Sequence, residues 1–455
     1  MTESPQIEGT AVGGAMRVTK ATLAYRALVC FSFIYFVRPE DFIPVLNLVP
    51  LGKIAGGLSF LALVFGVKSK DRGNFPLECK LLVALFFQML LTVPFAYWRG
   101  GAFDTVVNKF SKGVICALLI VLVVTKVNEL RKLLYIQSAA VAAVTVASLL
   151  VRHTVDGRLM GIQKGILENP NDLAINIAIN FPLCMAFMFA AKGGLRKVAW
   201  AIGLISMLYA VVATYSRSGM IAMVITATIC LWEFGVKGRR VMLLMSAAII
   251  GIISLAIVLV TPKYLARMET LIHETPEGTQ ERGTLESHAQ GSVEAREELL
   301  KDSLITALHH PVFGIGPGNF PAVAGQWHVA HNTYTEIAAE AGFPAIFLFL
   351  WMLVASMRKI RRVRKLPGYA ANGDIRLWTS ALWAALAAYL AGAIFASTEY
   401  NLFPYFMVGY ICALYQIASK PSEENSAGGN GNTEGGGMKE LGHGGNEESE
   451  LAWSR

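Results

Sequence analysis

Between Tyr25 and Gln416 the chain returns again and again to runs of apolar residues without a charge, each long enough to matter to a bilayer. Crossing the hydrocarbon takes roughly 20 such residues in a helix. A water-soluble fold would need amphipathic helices to cover fully apolar ones, and few are present here. Composition agrees: 54% of residues are hydrophobic and only 16% charged, with a mean hydropathy of +0.48. The expected fold is therefore all-α, a polytopic transmembrane bundle of about twelve spans. Their approximate bounds are 22–37, 48–67, 77–97, 106–125, 130–151, 171–191, 198–214, 217–235, 240–261, 332–356, 376–397 and 401–418.

Orientation follows from the gaps. Basic residues gather in alternate ones: Lys68, Lys70, Arg72 and Lys80; Lys126, Arg131 and Lys132; Lys192, Arg196 and Lys197; Lys237, Arg239 and Arg240; then Arg358 to Lys365. The opposite short loops hold little beyond Arg38, Arg99 and Arg217. The positive-inside rule then puts both termini in the cytoplasm. The net charge of +8 is spread over these loop anchors, so no nucleic-acid partner is expected and the lipid bilayer is. Residues 1–20 form a cytoplasmic segment in this reading. With Glu3 and Glu8 and no apolar core, it does not read as a cleavable signal. Residues 21–261 carry spans one to nine, 262–331 a long outer loop, 332–419 spans ten to twelve, and 420–455 a Gly-, Asn- and Glu-rich tail expected to be disordered.

Inside the outer loop, Val293, Leu300, Leu304 and Leu308 recur at helical spacing, Ser292 is placed to cap and Pro311 to stop. A helix over 292–310, lying on the membrane or on the bundle, is the expectation. The cysteines, Cys30, Cys79, Cys116, Cys184, Cys230 and Cys412, fall within or at the ends of spans and read as small buried apolar residues.

Polar chemistry concentrates on the outer side. Every histidine but His443 falls in an outer loop or at an outer span end, beside Asn171, Asp172, Arg217, Glu336, Glu340 and Glu399. Ionisable groups near membrane depth are costly, so such a cluster points to function. His331 and Asn332 open the tenth span, where helix N–H groups favour an anion. Asn332, Glu336 and Glu340 follow one another at intervals of a helical turn along one stripe. A neutral His beside a carboxylate can take a proton from a hydroxyl. Equally, Asn332 can be a plain cap and His331 simply exposed. The run Gly314-Ile-Gly-Pro-Gly-Asn319 is no dinucleotide fingerprint, since no strand precedes it. Gly316, Gly318 and Asn319 make either a phosphate nest or a turn without a ligand. Arg217 either snorkels or grips phosphate with its planar fork. Arg296 lies on the flank of the loop helix's apolar arc, as Glu297 does on the arc itself, so position alone does not single it out. His328 and His331 form an H-x-x-H without a third spaced ligand, so no metal is expected.

Taken in order, Tyr-Ser-Arg-Ser-Gly (215–219), the Arg296-bearing helix, His-Pro-Val-Phe-Gly-Ile-Gly-Pro-Gly-Asn-Phe (310–320), His-Asn-Thr-Tyr-x-Glu (331–336) and Glu-x-Gly (340–342) resemble the O-antigen ligase and O-antigen polymerase family. Asn169-Pro-Asn-Asp-Leu-Ala174 also looks like a family segment, so the resemblance runs over roughly 160–350. It implies a membrane glycosyltransferase of GT-C-like architecture at the periplasmic face of a bacterial inner membrane. The donor implied is an undecaprenyl-pyrophosphate-linked glycan; the acceptor is lipid A–core for a ligase, or another carrier-linked repeat for a polymerase. By the same resemblance His331 is the general base, while Arg217 and Arg296 hold the leaving pyrophosphate. Asn332, Glu336, Glu340, Asn171, Asp172, Gly316, Gly318 and Asn319 complete the substrate-binding set. No cofactor or metal is implied, and the chain has no D-x-D pair. From a different class, a secondary transporter or lipid-linked sugar exporter is the rival, though transporters place paired polar breaks at midplane.

Overall fold

Apolar runs that cannot leave backbone groups unpaired in lipid close those bonds within each segment, and here they do so as helices. The computed structural model describes residues 9–66, 75–155, 157–162, 169–240, 245, 284–324 and 329–420. We number its principal helices α1 (Gly9–Val37), α2 (Leu51–Gly66), α3 (Leu77–Phe95), α4 (Arg99–Val123), α5 (Val127–Val151), α6 (Pro170–Ala190), α7 (Gly194–Ala213), α8 (Arg217–Val236), α9 (Thr284–His309), α10 (Thr333–Val363), α11 (Gly373–Gly392) and α12 (Phe403–Ala418). Among the described residues, seven of them (α3 to α8 and α10) are long and apolar enough to cross a membrane, and shorter apolar stretches lie at Leu23–Val37, Leu51–Phe65 and Phe403–Ala418. The fold is an all-α membrane bundle. The expected ninth span, at 240–261, and the tail at 421–455 lie outside the described residues.

At the centre, α6 packs against α5, α7, α8 and α11, while α12 packs against α4, α10 and α11. α6 is buried almost throughout; the rows of α7, exposed at Ile202, Ile205 and Tyr209, face outward. Trp378, Tyr389, Tyr405 and Tyr410 are the bulkiest fully buried side chains. Where helices approach most closely the sequence supplies glycine: a Cβ on Gly219 of α8 would stand 2.2 Å from the Ala174 Cβ of α6.

Two expectations need correction. The loop helix begins at Thr284 and runs unbroken past Ser292, which therefore does not cap it. Its buried face is Leu299, Ser303 and Ala307, whereas Leu304 and Leu308 are 47% and 69% exposed. The helix lies against α10, and Leu299 with two small residues forms its buried face while Leu304 and Leu308 face out. Cysteines are buried as expected except Cys30, which is exposed, and all six are free thiols.

Candidate functional site

Helix α10 is broken near its start, and the break builds the site. Gly342 has φ 80° and ψ 173°, and Pro344 follows it. The proline has no N–H to offer the Glu340 carbonyl, and the Phe343 N–H turns instead to Pro311 O at 2.7 Å. Two carbonyls are thus released, and the Gly-rich segment satisfies both: Ile315 N–H donates to Ala339 O at 3.0 Å and Gly316 N–H to Glu340 O at 2.8 Å. The Ala341 carbonyl accepts from Gln88 Nε2 at 3.3 Å. Each buried backbone group released by the break finds a partner. Contact this close requires glycine, since a Cβ on Gly314 would lie 2.3 Å from the Glu340 carbonyl.

The Glu340 side chain fastens the same turn a second time. It accepts from Gly318 N–H at 2.7 Å, from Phe320 N–H at 2.9 Å and from the Tyr400 hydroxyl. One helical turn earlier, Glu336 accepts from Ala330 N–H at 3.1 Å and from the Ser397 hydroxyl. Glu336, Glu340 and the buried Glu399 bring carboxylate oxygens within 4.8 Å of one another. A cation there would have to displace the hydrogens aimed at Glu336 and Glu340, so we read the group as a clamp. Burial and the two neighbouring carboxylates push the Glu399 carboxyl, in the turn between α11 and α12, well above the usual carboxylate range.

That clamp sets His331. The residue is in the left-handed region at φ 53°, a conformation costing a non-glycine side chain about 1–2 kcal/mol. Bonds on both sides hold it there. Ala330 N–H is taken by Glu336, and Thr333 N–H donates to Ala393 O at 2.9 Å and Ala396 O at 3.0 Å. Asn332 is the N-cap of α10, its side chain accepting from Tyr334 and Thr335 N–H.

A second polar knot joins α6, α7 and α8 at the same end of the bundle. Asn171 Oδ1 accepts from the Ser216 hydroxyl at 2.8 Å and from Arg158 Nη2 at 3.0 Å, and Arg158 Nε donates to Thr214 O at 3.0 Å. Ser216 caps α8 by accepting from Gly219 N–H at 3.1 Å, which makes Arg217 the first helical residue. Tyr215, just before that cap, shares the left-handed φ of His331, at 48°. Arg296 lies on the bundle-facing side of α9, one turn from Leu299, and its charge acts on the half-buried Asp172. Its neighbour Glu297 instead pairs with Lys301 at 2.9 Å, both side chains more than half exposed. Residues 171–172 thus lie between the neighbourhoods of Arg217 and Arg296.

Placement therefore divides the expected set. Asn171 and Asp172 lie in the first turn of α6, beside the Ser216 cap that precedes Arg217, Arg296 acts on Asp172 from α9, and His331 and Asn332 lead into α10. Gly316 and Gly318 spend their N–H groups on Glu340, and Asn319 Nδ2 donates to Ile315 O at 3.0 Å and Trp98 O at 3.3 Å. They form a docked turn rather than a phosphate nest, and Glu336 and Glu340 fasten backbone. Arg158 was not anticipated. It stands on a hairpin pairing Thr154–Val155 with Arg158–Leu159, and the Asp156-Gly157 dipeptide between those two pairs is a hairpin signal.

Residues 201–350 match the family model described as O-antigen ligase. The matched stretch begins within α7, ends within α10 and includes Arg217, Arg296, His331, Glu336, Glu340 and the Gly-rich turn. No curated protein matches the chain significantly.

Proposed function

From the match of residues 201–350 to the O-antigen ligase family model, we propose that this chain is a membrane glycosyltransferase passing a glycan from undecaprenyl pyrophosphate to an acceptor hydroxyl. The supporting observation is that His331 lies between the Ala330–Glu336 bond and the Thr333 bonds at the start of α10, Arg217 follows the Ser216 cap that is bonded to Asn171, and the charge of Arg296 on α9 acts on Asp172. In the reaction the acceptor oxygen attacks the anomeric carbon of the donor sugar while the bond from that carbon to the pyrophosphate oxygen breaks. His331 takes the acceptor's proton, and a base poised near neutral pH suits that step. The leaving pyrophosphate carries away the electron pair and the growing negative charge. Arg217 and Arg296 offer planar forks of N–H donors to its oxygens. With the leaving group already activated, these side chains suffice for the proposed step without a metal.

We assign the periplasmic face of a bacterial inner membrane as the site of reaction, with lipid A–core as acceptor. Basic loops at the opposite end of the bundle support that orientation. The polymerase reading, with a second carrier-linked repeat as acceptor, uses the same residues. Deleting the gene and resolving surface glycans on a gel separates the two. Unmodified lipid A–core with carrier-linked polymer retained is the expected result; a single attached repeat would replace the ligase with a polymerase. Unchanged surface glycan would remove both.

A further inference from the structure

Helices α2, α3 and α4 enclose a groove of about 460 Å³ that none of the residues proposed for transfer lines. Its walls change character along their length. The first half of α4 carries Asp104, Asn108, Lys109, Ser111 and Lys112, and everything from Gly113 to Val124 is uncharged and largely apolar. Helix α2 repeats the pattern, with Lys53 near its start and an uncharged apolar run from Ile54 onward. The two boundaries meet at one level: a Cβ on Gly56 would lie 3.7 Å from Lys112 Cε and 3.8 Å from its Cγ. Lys53 and Lys112 thus stand together at the polar end, close enough that the charge of one acts on the other. Below them the groove is lined by Phe60, Phe86, Val114 and Ile115. Phe60 is half exposed, so the apolar end opens sideways where lipid chains would lie.

Two ammonium groups at the edge of the hydrocarbon repel one another and lose hydration, a cost that an anion between them removes. Among the described residues neither lysine forms an ion pair within 4 Å. Asp104 acts on Lys112 from further away, and its Oδ1 accepts from Asn108 Nδ2 at 2.6 Å. Asn108 and Ser111 add polar groups to the same rim. Glycines at 56 and 57 leave room for a slender chain beside the lysine stem.

We infer that this groove seats an anionic glycerophospholipid of the surrounding bilayer, its phosphate between Lys53 and Lys112 and an acyl chain along Phe60 and Ile115. The bilayer lipid is favoured over the polyprenyl donor because the lining holds no group that could act on a glycosyl bond. Helices α2 and α4 both pack on α1, and α4 also packs on α12, so a lipid here would brace that side of the bundle.

The test uses the full chain, purified in detergent and stripped of lipid. Phosphatidylglycerol, phosphatidylcholine and undecaprenyl phosphate are added separately, with retained lipid counted by native mass spectrometry and the Tm followed. Expected are retention of one phosphatidylglycerol at least tenfold more tightly than phosphatidylcholine and a raised Tm. Lys53→Gln with Lys112→Gln should lose that preference, and Lys53→Arg with Lys112→Arg should keep it. If the double Gln variant fails to fold, Lys53→Gln alone, at an exposed position, should still lower retention several-fold. Equal retention of phosphatidylcholine, or an unchanged preference in the Gln variants, would overturn the site. Undecaprenyl phosphate outcompeting phosphatidylglycerol tenfold would overturn its assignment to a bilayer lipid.

Discussion

The left-handed backbone at His331 carries a cost that only its neighbours can sustain, and strain of this kind gathers at functional sites. The reading of His331 as general base predicts that His331→Ala lowers glycan transfer by about 10² to 10⁴-fold with membrane insertion intact. Normal surface glycan in that variant would take the imidazole out of the mechanism. Arg217→Lys keeps the charge and loses the fork; a charge-assisted hydrogen bond contributes about 1.5–3 kcal/mol, so transfer should fall roughly tenfold to a hundredfold. Near-normal rates would instead favour an arginine that merely reaches to the surface. Glu399 bears on stability. Its carboxyl is raised, and its Oε2 is buried without a hydrogen-bond partner. The folded chain therefore binds a proton that the unfolded chain releases. The associated stability is complete below the ordinary carboxylate range and is lost as pH rises from about 4. Relative to Glu399→Gln, the wild-type Tm should drop across that interval, and parallel curves for the two proteins would contradict it.

Among the elements, the break in α10 has the widest reach, because it exposes the carbonyls on which the 311–320 segment docks. A Cβ at position 342 would stand 2.3 Å from the Val312 carbonyl oxygen. Gly342→Ala must therefore separate α10 from that segment as well as bear the cost of an extended, positive-φ backbone that only glycine readily adopts, about 1–3 kcal/mol. The expected outcome is a lowered Tm together with impaired transfer, since the same segment leads into the approach to His331. A Tm unchanged within error would mean that the docking is dispensable. Much of this element was legible beforehand: Gly342, Pro344 and the glycines of 314–318 all break regular structure on sight. That they break it against one another was not legible, because each gap is filled by a partner more than twenty residues away. The loop helix shows the converse. Spacing alone located the element near its true end at His309, yet mistook the buried face, since Leu304 and Leu308 follow the period as well as Leu299 and Ala307 do.

For the molecule as a whole, the alternation of basic loops assigns the 262–331 segment and the Arg358–Lys365 run to opposite compartments. Reporter fusions at positions 280 and 365 should accordingly report opposite sides of the membrane, and agreement between them would overturn the topology. The packing lends that end of the bundle a consistent character. Starts of α6, α8, α10 and α12 meet the ends of α5, α7 and α11 there, and the polar knots around Asn171 and Glu340 occupy it. The opposite end is knit differently, by Glu233 with Lys237 and Arg364 and by Lys359 with Glu78.

Fold class and most of the spans could be read from residue order alone, because lipid punishes unpaired backbone and charge so heavily that composition along the chain nearly dictates where helices lie. Roles within the site could not. Glu336, Glu340, Gly316 and Gly318 carry the same polar or glycine-rich signature as substrate-binding residues, and only the folded chain shows that Gly316 and Gly318 donate to Glu340 while Glu336 accepts from Ala330 and Ser397. Arg158 joined the site through a hairpin that brings it to Asn171. Hydrogen-bond partners are chosen by proximity in space, and proximity between segments distant in sequence exists only after the helices have packed.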